Sequence, residues 1–239
     1  MTKQWVIPDI HGHSGTLQAL IEDQIQPSRS DSLYFLGDYI DRGPDAKGVI
    51  DYLISLREDD YNISTLKGNH EDYLLRTYEI ATGRNNFLGI PYRNKLKKEW
   101  FKFGGQATLR SFEVSDVHDI PEKYITWLRE LEYFIELEKF ILVHAGINFN
   151  IENPFADKQS MLWIKEFKVD QEKAGYRKLV HGHVPVSLEF IDLLRTSNGF
   201  DFIDLDNGIY MPEKEGFGNL VALELTSMEL KVQNNVDIL

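Results

Sequence analysis

Short apolar runs recur along this chain, and each stops at a cluster of histidine, carboxylate or asparagine. Trp5-Val6-Ile7, Leu33-Tyr34-Phe35-Leu36 and Ile63-Ser64-Thr65-Leu66 are rich in β-branched or aromatic side chains, and each is followed by a helix-like stretch. That order predicts βαβ units. Residues 132–137 and 140–143 predict two successive strands around a tight Glu138-Lys139 turn, and Lys178-Leu179-Val180 predicts another strand. Towards the end, residues 200–205 precede Asp206-Asn207-Gly208, a hairpin-type signal, and Met228, Leu230 and Val232 alternate with Glu229, Lys231 and Gln233. The expected architecture is α/β, two mixed β-sheets packed together with helices outside, the second sheet more antiparallel than the first. At 239 residues the chain is expected to form a single domain.

The strand ends carry the chemistry. In open α/β sheets ligands bind beyond the carboxyl ends of the strands, so loops distant in sequence share one rim. The first three runs end in Asp9-Ile10-His11-Gly12-His13, Gly37-Asp38-Tyr39-Ile40-Asp41-Arg42-Gly43 and Gly68-Asn69-His70-Glu71. The run 140–143 ends in His144, and 178–180 ends in His181-Gly182-His183.

Each motif has a structural reading beside a chemical one. Asp9-x-His11 can aim two side chains at one cation, but Asp9 or Ser14 could instead cap a helix that begins near Gly15. Asp45 suits the cap of a helix from residue 46 to 56, which leaves Asp38 and Arg42 without a structural role; Arg42 offers a planar fork of donors to phosphate. Asn69 is a favoured helix cap and also a neutral metal ligand, and His70 beside it could protonate a leaving group. Taken singly, His144 and His183 are interior histidines; His13 and His181 have no assigned role, and His118 is expected to be exposed. Five such motifs, all at strand ends, point jointly to a two-metal phosphoesterase site.

Composition narrows the metals. The chain has no cysteine, so histidine, carboxylate and amide are the available ligands, and hard or borderline cations follow. A net charge of −12 argues against general affinity for nucleic acid or anionic membranes. No apolar stretch approaches the roughly 20 residues of a membrane span, so a cytoplasmic location is the default expectation. One segment reverses the charge: Arg84, Arg93, Lys95, Lys97, Lys98, Lys102 and Arg110 face Glu99 alone, with Phe87, Tyr92, Trp100, Phe101 and Phe103 interleaved. This is either an amphipathic helix packed on the core or, within residues 84–131, a helical cap that receives an anionic substrate.

Together these motifs resemble the metallophosphoesterase superfamily, in its phosphoprotein phosphatase group. That group includes serine/threonine protein phosphatases and symmetrical dinucleoside tetraphosphatases. Trp100-x-x-x-Gly104-Gly105-x-x-Thr108 and Leu162-Trp163 resemble accessory motifs of its bacterial members. The resemblance implies a calcineurin-like sandwich fold and two divalent ions, manganese first, with iron or zinc as alternatives. It implies that Asp9, His11 and Asp38 hold one metal, and Asp38, Asn69, His144 and His183 the other. His70 with Asp41 would form the acid dyad, and Arg42 would bind phosphate. Lys165 stands where family members carry a second phosphate-binding arginine, and a lysine keeps the charge without the fork. The implied substrates are phosphoserine or phosphothreonine in proteins first, and dinucleoside polyphosphates as the alternative.

Overall fold

The computed structural model describes residues 2–83 and 89–237, with residues 89–94 described in backbone only. Of the basic segment, Arg84 and Phe87 and the side chains of Tyr92 and Arg93 therefore lie outside the described residues. Strands β1 (Gln4–Ile7), β2 (Ser32–Phe35) and β3 (Asn62–Thr65) run parallel, with Trp5 beside Leu33 and Leu33 beside Ile63. The second sheet holds β4 (Phe134–Glu136), β5 (Phe140–Val143), β6 (Lys178–His181) and β7 (Phe202–Asp204) in that order. β8 (Asn219–Glu224) then returns to the first sheet antiparallel to β1, and β9 (Leu230–Asn234) completes it in the order β3-β2-β1-β8-β9.

Alternation along the strands explains the layers, because successive strand side chains point to opposite faces. Trp5, Ile7, Leu33 and Phe35 face a helical layer. Val6, Tyr34 and Leu36 face the other way and pack with Leu142, Val180, Ile203 and Leu223 between the two sheets. Ile141, Val143 and Leu179 turn to the far side, onto Ile147, Phe149 and Met161. Each such aliphatic side chain stabilises the packing by about 1.5–3 kcal/mol when fully buried.

The helical layer comprises α1 (Ser14–Ala19), its π-helical continuation Leu20–Ile25, α2 (Ala46–Glu58), α3 (Asn69–Ala81), α4 (Gly89–Lys102), α5 (Gly105–Ser111) and α6 (Glu122–Glu130). Trp100, Leu109, Tyr124, Trp127 and Leu128 enter the same core as Trp5, so the apolar side of the basic segment is packed. Lys95, Lys98, Lys102 and Arg110 are exposed, while Lys97 pairs with Asp116 at 2.5 Å. His118, also beside Asp116, is 46% exposed, as expected.

Four expectations need correction. The second sheet is not the more antiparallel one: β5 to β6 and β6 to β7 pair parallel, and only β4 to β5 is antiparallel. The links after β5 and β6 carry helices α7 (Lys158–Trp163) and α8 (Leu188–Thr196), and crossovers of that length carry the chain back to the end of the sheet where the previous strand began. Asp206-Asn207-Gly208 makes no hairpin, because β7 and β8 belong to different sheets. Asn207 instead pins the long loop, donating to the carbonyls of Val186 and Gly216 at 2.9 Å and accepting from the Asn219 N–H at 3.1 Å. Neither Asp9 nor Ser14 caps α1; Asp237, near the other end of the chain, accepts from the N–H groups of Gly15 and Thr16 at 2.8 Å. Of the other two predicted caps, Asp45 is in place, accepting from the Gly48 N–H at 2.8 Å, whereas Asn69 is the first residue of α3 and Gly68 takes the cap position. Among the described residues no helix is long and apolar enough to cross a membrane.

Candidate functional site

The carboxyl ends of β1, β2 and β3 from one sheet meet those of β5 and β6 from the other, and the predicted residues gather there. Asp38 is the centre. Its Oδ2 lies 3.6 Å from His144 Nε2, 3.7 Å from His11 Nε2 and 3.8 Å from His70 Nε2. Donor atoms of His11, Asp38 and His70 lie within 4.8 Å of one another, as do those of Asp38, His144 and His183.

The tautomers are fixed from behind. His11 Nδ1 faces the Ile40 carbonyl at 3.0 Å and His144 Nδ1 faces the Leu36 carbonyl at 3.1 Å. A carbonyl only accepts, so each Nδ1 carries the proton and each Nε2 presents a lone pair. His144 Nε2 also stands 2.9 Å from Asn69 Oδ1, a second acceptor, and His183 Nε2 is buried without a hydrogen-bond partner. Lone pairs and a carboxylate converging in a buried space are the donor set a divalent cation requires, so these residues fit a two-metal site. Asp9 stands apart from the clusters: its two oxygens accept from the His183 backbone N–H at 3.1 and 3.2 Å. The donor atoms grouped within 4.8 Å around His11 and Asp38 include His70 and not Asp9.

The backbone here is strained. His11, Asp38, Asp41, Arg42 and His183 all have positive φ, between 46° and 76°, at a cost of order 1–3 kcal/mol each. Every one of those N–H groups is anchored. His11 donates to the Asp38 carbonyl at 2.7 Å, Asp38 to the Glu71 carboxylate at 2.8 Å, and Asp41 to the Thr108 hydroxyl at 2.9 Å. Arg42 donates to the Gly104 carbonyl at 3.4 Å, and His183 to Asp9. Glu71, fully buried, also accepts from Tyr39 and Gly68, and so shapes the loop around Asp38. Its place three residues into α3, as the glutamate of a capping box, was the signal that could have marked it.

Burial governs the electrostatics. It alone would raise Asp38, but the imidazoles of His144, His70, His11 and His183 outweigh it and hold the carboxyl well below the usual range. Burial lowers His144 and His11, and takes His183 down to about 3. His70 goes the other way: burial opposes its charge, and the carboxylates of Asp38 and Asp41 overcome that and raise it. Burial and the nearby charges of Asp206 and Asp38 push Asp9 well up. Burial also lifts Glu71 to about 8, with Asp38 adding to it, and Asp206 to about 7.

At the mouth, Arg42 is exposed and lies over the Tyr210 ring at 3.7 Å, and Tyr210 meets His11 edge-on at 5.1 Å. Nothing in the sequence spacing marked Tyr210. Phe103 stands 6.0 Å from the His70 ring, and Trp163 stands 6.4 Å from His183. Lys165 is exposed, and its charge acts on His183. His13 and His181 stay outside the clusters, each with Nδ1 on a backbone carbonyl at 3.0 Å.

Comparisons with known proteins agree with this geometry. The calcineurin-like phosphoesterase family profile matches residues 2–215. A symmetrical bis(5'-nucleosyl)-tetraphosphatase of Cellvibrio japonicus is 31% identical over 145 residues, 60% of this chain and 44% of that protein. The protein of the same name from Pseudomonas syringae pv. tomato is 26% identical over 227 residues, 91% of this chain and 67% of that protein. The match thus spans less than half the length of the first of these relatives. Among solved structures, one named provisionally as a diadenosine tetraphosphatase superposes with a TM-score of 0.58 at 18% identity, over 97% of this chain and 92% of that one. A protein serine/threonine phosphatase from Saccharomyces cerevisiae superposes with a TM-score of 0.59 at 14% identity, over 98% and 80%. These two share the fold.

Proposed function

We propose that this chain, which belongs to the calcineurin-like phosphoesterase family, is a two-metal hydrolase of dinucleoside polyphosphates. Membership makes it a phosphoesterase of the metallophosphoesterase superfamily, a family that uses divalent metal ions, and the histidine and aspartate groups fit such a site. The observation that carries the substrate class is the sequence similarity to proteins named symmetrical tetraphosphatases, which in one case extends over 91% of the chain. The sequence motifs put phosphoproteins first, and the names of the relatives support the alternative instead. The protein phosphatase among the fold neighbours shares 14% identity and speaks only for the fold.

In this reading Asp9, His11 and Asp38 would hold one cation, and Asp38, Asn69, His144 and His183 the other, with manganese first and iron or zinc as alternatives. When bound, the two cations supply positive charge to phosphate oxygens and activate water near neutral pH. The side chains do the rest. Arg42, kept in place by its stack on Tyr210, forks onto non-bridging oxygens, and Lys165 adds a second, undirected positive charge. His70, raised by its carboxylate neighbours, gives its Nε2 proton to the departing oxygen while Asp41 holds the Nδ1 proton at 2.7 Å.

The test is a Mn²⁺-supplemented assay of a dinucleoside tetraphosphate against a phosphoserine peptide at matched concentration. We expect kcat/KM to favour the dinucleotide by more than about tenfold. A preference for the peptide would restore the phosphoprotein reading, and hydrolysis of neither would remove both.

A further inference from the structure

Asp41 is a fully buried carboxylate with three side-chain donors and no exposed surface. Its Oδ2 faces His70 Nδ1 at 2.7 Å and accepts from Trp100 Nε1 at 3.0 Å, while Oδ1 accepts from the Thr108 hydroxyl at 2.5 Å. The Thr108 oxygen in turn accepts from the Asp41 N–H at 2.9 Å, holding the residue at φ +69°. Trp100 and Thr108 are themselves fully buried. Gly104, between them in sequence, has φ +102°, and a Cβ there would lie 2.6 Å from the Arg42 backbone nitrogen. The spacing Trp100-x-x-x-Gly104-x-x-x-Thr108 thus brings α4, the turn and α5 onto one loop, the one that carries Asp41 and Arg42.

We propose that Trp100 and Thr108 are positioning residues for protonation of the leaving group. They fix the Asp41 carboxylate, and through it the ring of His70. The proposal rests on the phosphoesterase reading above, because that reading gives His70 its proton-donating role. A carboxylate bound by one histidine alone can rotate about its terminal torsion and let the imidazole turn with it. Three donors from three directions remove that freedom. Residues that merely filled the core would act on stability and on all substrates alike. The clamp should act where the proton matters, on a basic leaving group, since the benefit of general acid catalysis grows with leaving-group basicity.

The experiment compares wild type, Thr108→Val and Thr108→Ser on an alkyl phosphate and on 4-nitrophenyl phosphate, with Mn²⁺ content measured for each. Thr108→Val should lower kcat on the alkyl ester by more than about tenfold and on the aryl ester by less than about threefold, with KM little changed; Thr108→Ser should restore both. A second readout needs no turnover. The downfield proton resonance of the His70 to Asp41 hydrogen bond should shift in Thr108→Val and return in Thr108→Ser. Trp100→Phe gives the same two readouts if the valine variant does not fold. Equal losses on both esters, or an unmoved resonance, would overturn the clamp. If wild type hydrolyses neither ester, the dinucleoside polyphosphate reading still stands or falls by its own assay, and the resonance alone decides the clamp.

Discussion

Two openings of similar size lie at opposite ends of the strands. One, about 290 Å³, borders the carboxyl ends and is lined by His13, Arg42, Gly43, Pro44 and Tyr210 among others. The other, about 340 Å³, lies where β1 and β5 begin, lined by Gln4, Leu137, Glu138, Lys139, Phe140, Leu225 and Thr226. Volume favours the second, and chemistry favours the first. The first adjoins, through Arg42 and Tyr210, the cluster in which carboxylates and imidazoles are buried and five side-chain-bearing residues hold left-handed backbone. None of the residues lining the second has positive φ, and its ionisable pair, Glu138 and Lys139, is exposed. A fold keeps buried charge and backbone strain only where neighbouring contacts hold them, so their concentration marks the working end better than space does.

The largest effect that sharpens this contrast is at the centre of the cluster. Asp38→Asn should remove metal binding and lower turnover by more than about 10²-fold, while Glu138→Gln at the other opening stays within about twofold; atomic absorption and steady-state assay read both. If the two variants behaved alike, the contrast would be broken. Next, His70→Asn should cost about 10²–10⁴-fold in kcat on an alkyl phosphate while metal content is kept. An unaltered alkyl rate would end its role as acid. Glu71→Gln comes third. It turns an amide NH₂ against either the Tyr39 N–H or the N–H groups of Asp38 and Gly68, whichever oxygen it replaces, and should weaken Mn²⁺ binding by about 10–100-fold without contact to the ion. Calorimetric titration of the variant would detect this.

The smallest effect is the dependence of metal affinity on pH. Asp9 sits well above its ordinary value, through burial and the charges of Asp206 and Asp38, so a cation must displace its proton. Because that proton is held below the raised value and lost above it, affinity should rise with pH through that range and level off beyond it. The slope should be at most about tenfold per pH unit for each proton displaced. A flat profile from pH 5 to 8 would mean that Asp9 is already ionised, or that it is no ligand.

The strand-end motifs were legible because each is a local pattern: a short apolar run, a turn, and donor types at fixed spacing. Asp38, His11, His144 and His183 met as expected for that reason. Asp9 was legible as a participant, yet its contact with the His183 N–H was not. The helix caps divided in the same way. Asp45 lies three residues from the N–H it serves, whereas the residue capping α1 lies 222 positions from Gly15.

The sequence by itself determined which residues stand at the carboxyl ends of the strands, and hence a buried pocket of histidine, carboxylate and amide donors. Strand and helix periods are short-range, and they carry their end residues with them. Only the tertiary structure decided that Glu71 anchors the Asp38 loop, that Trp100 and Thr108 grip Asp41 across 59 and 67 positions, and that the second sheet runs mainly parallel. Those contacts depend on how layers and crossovers stack in space, and no spacing along the chain records that packing.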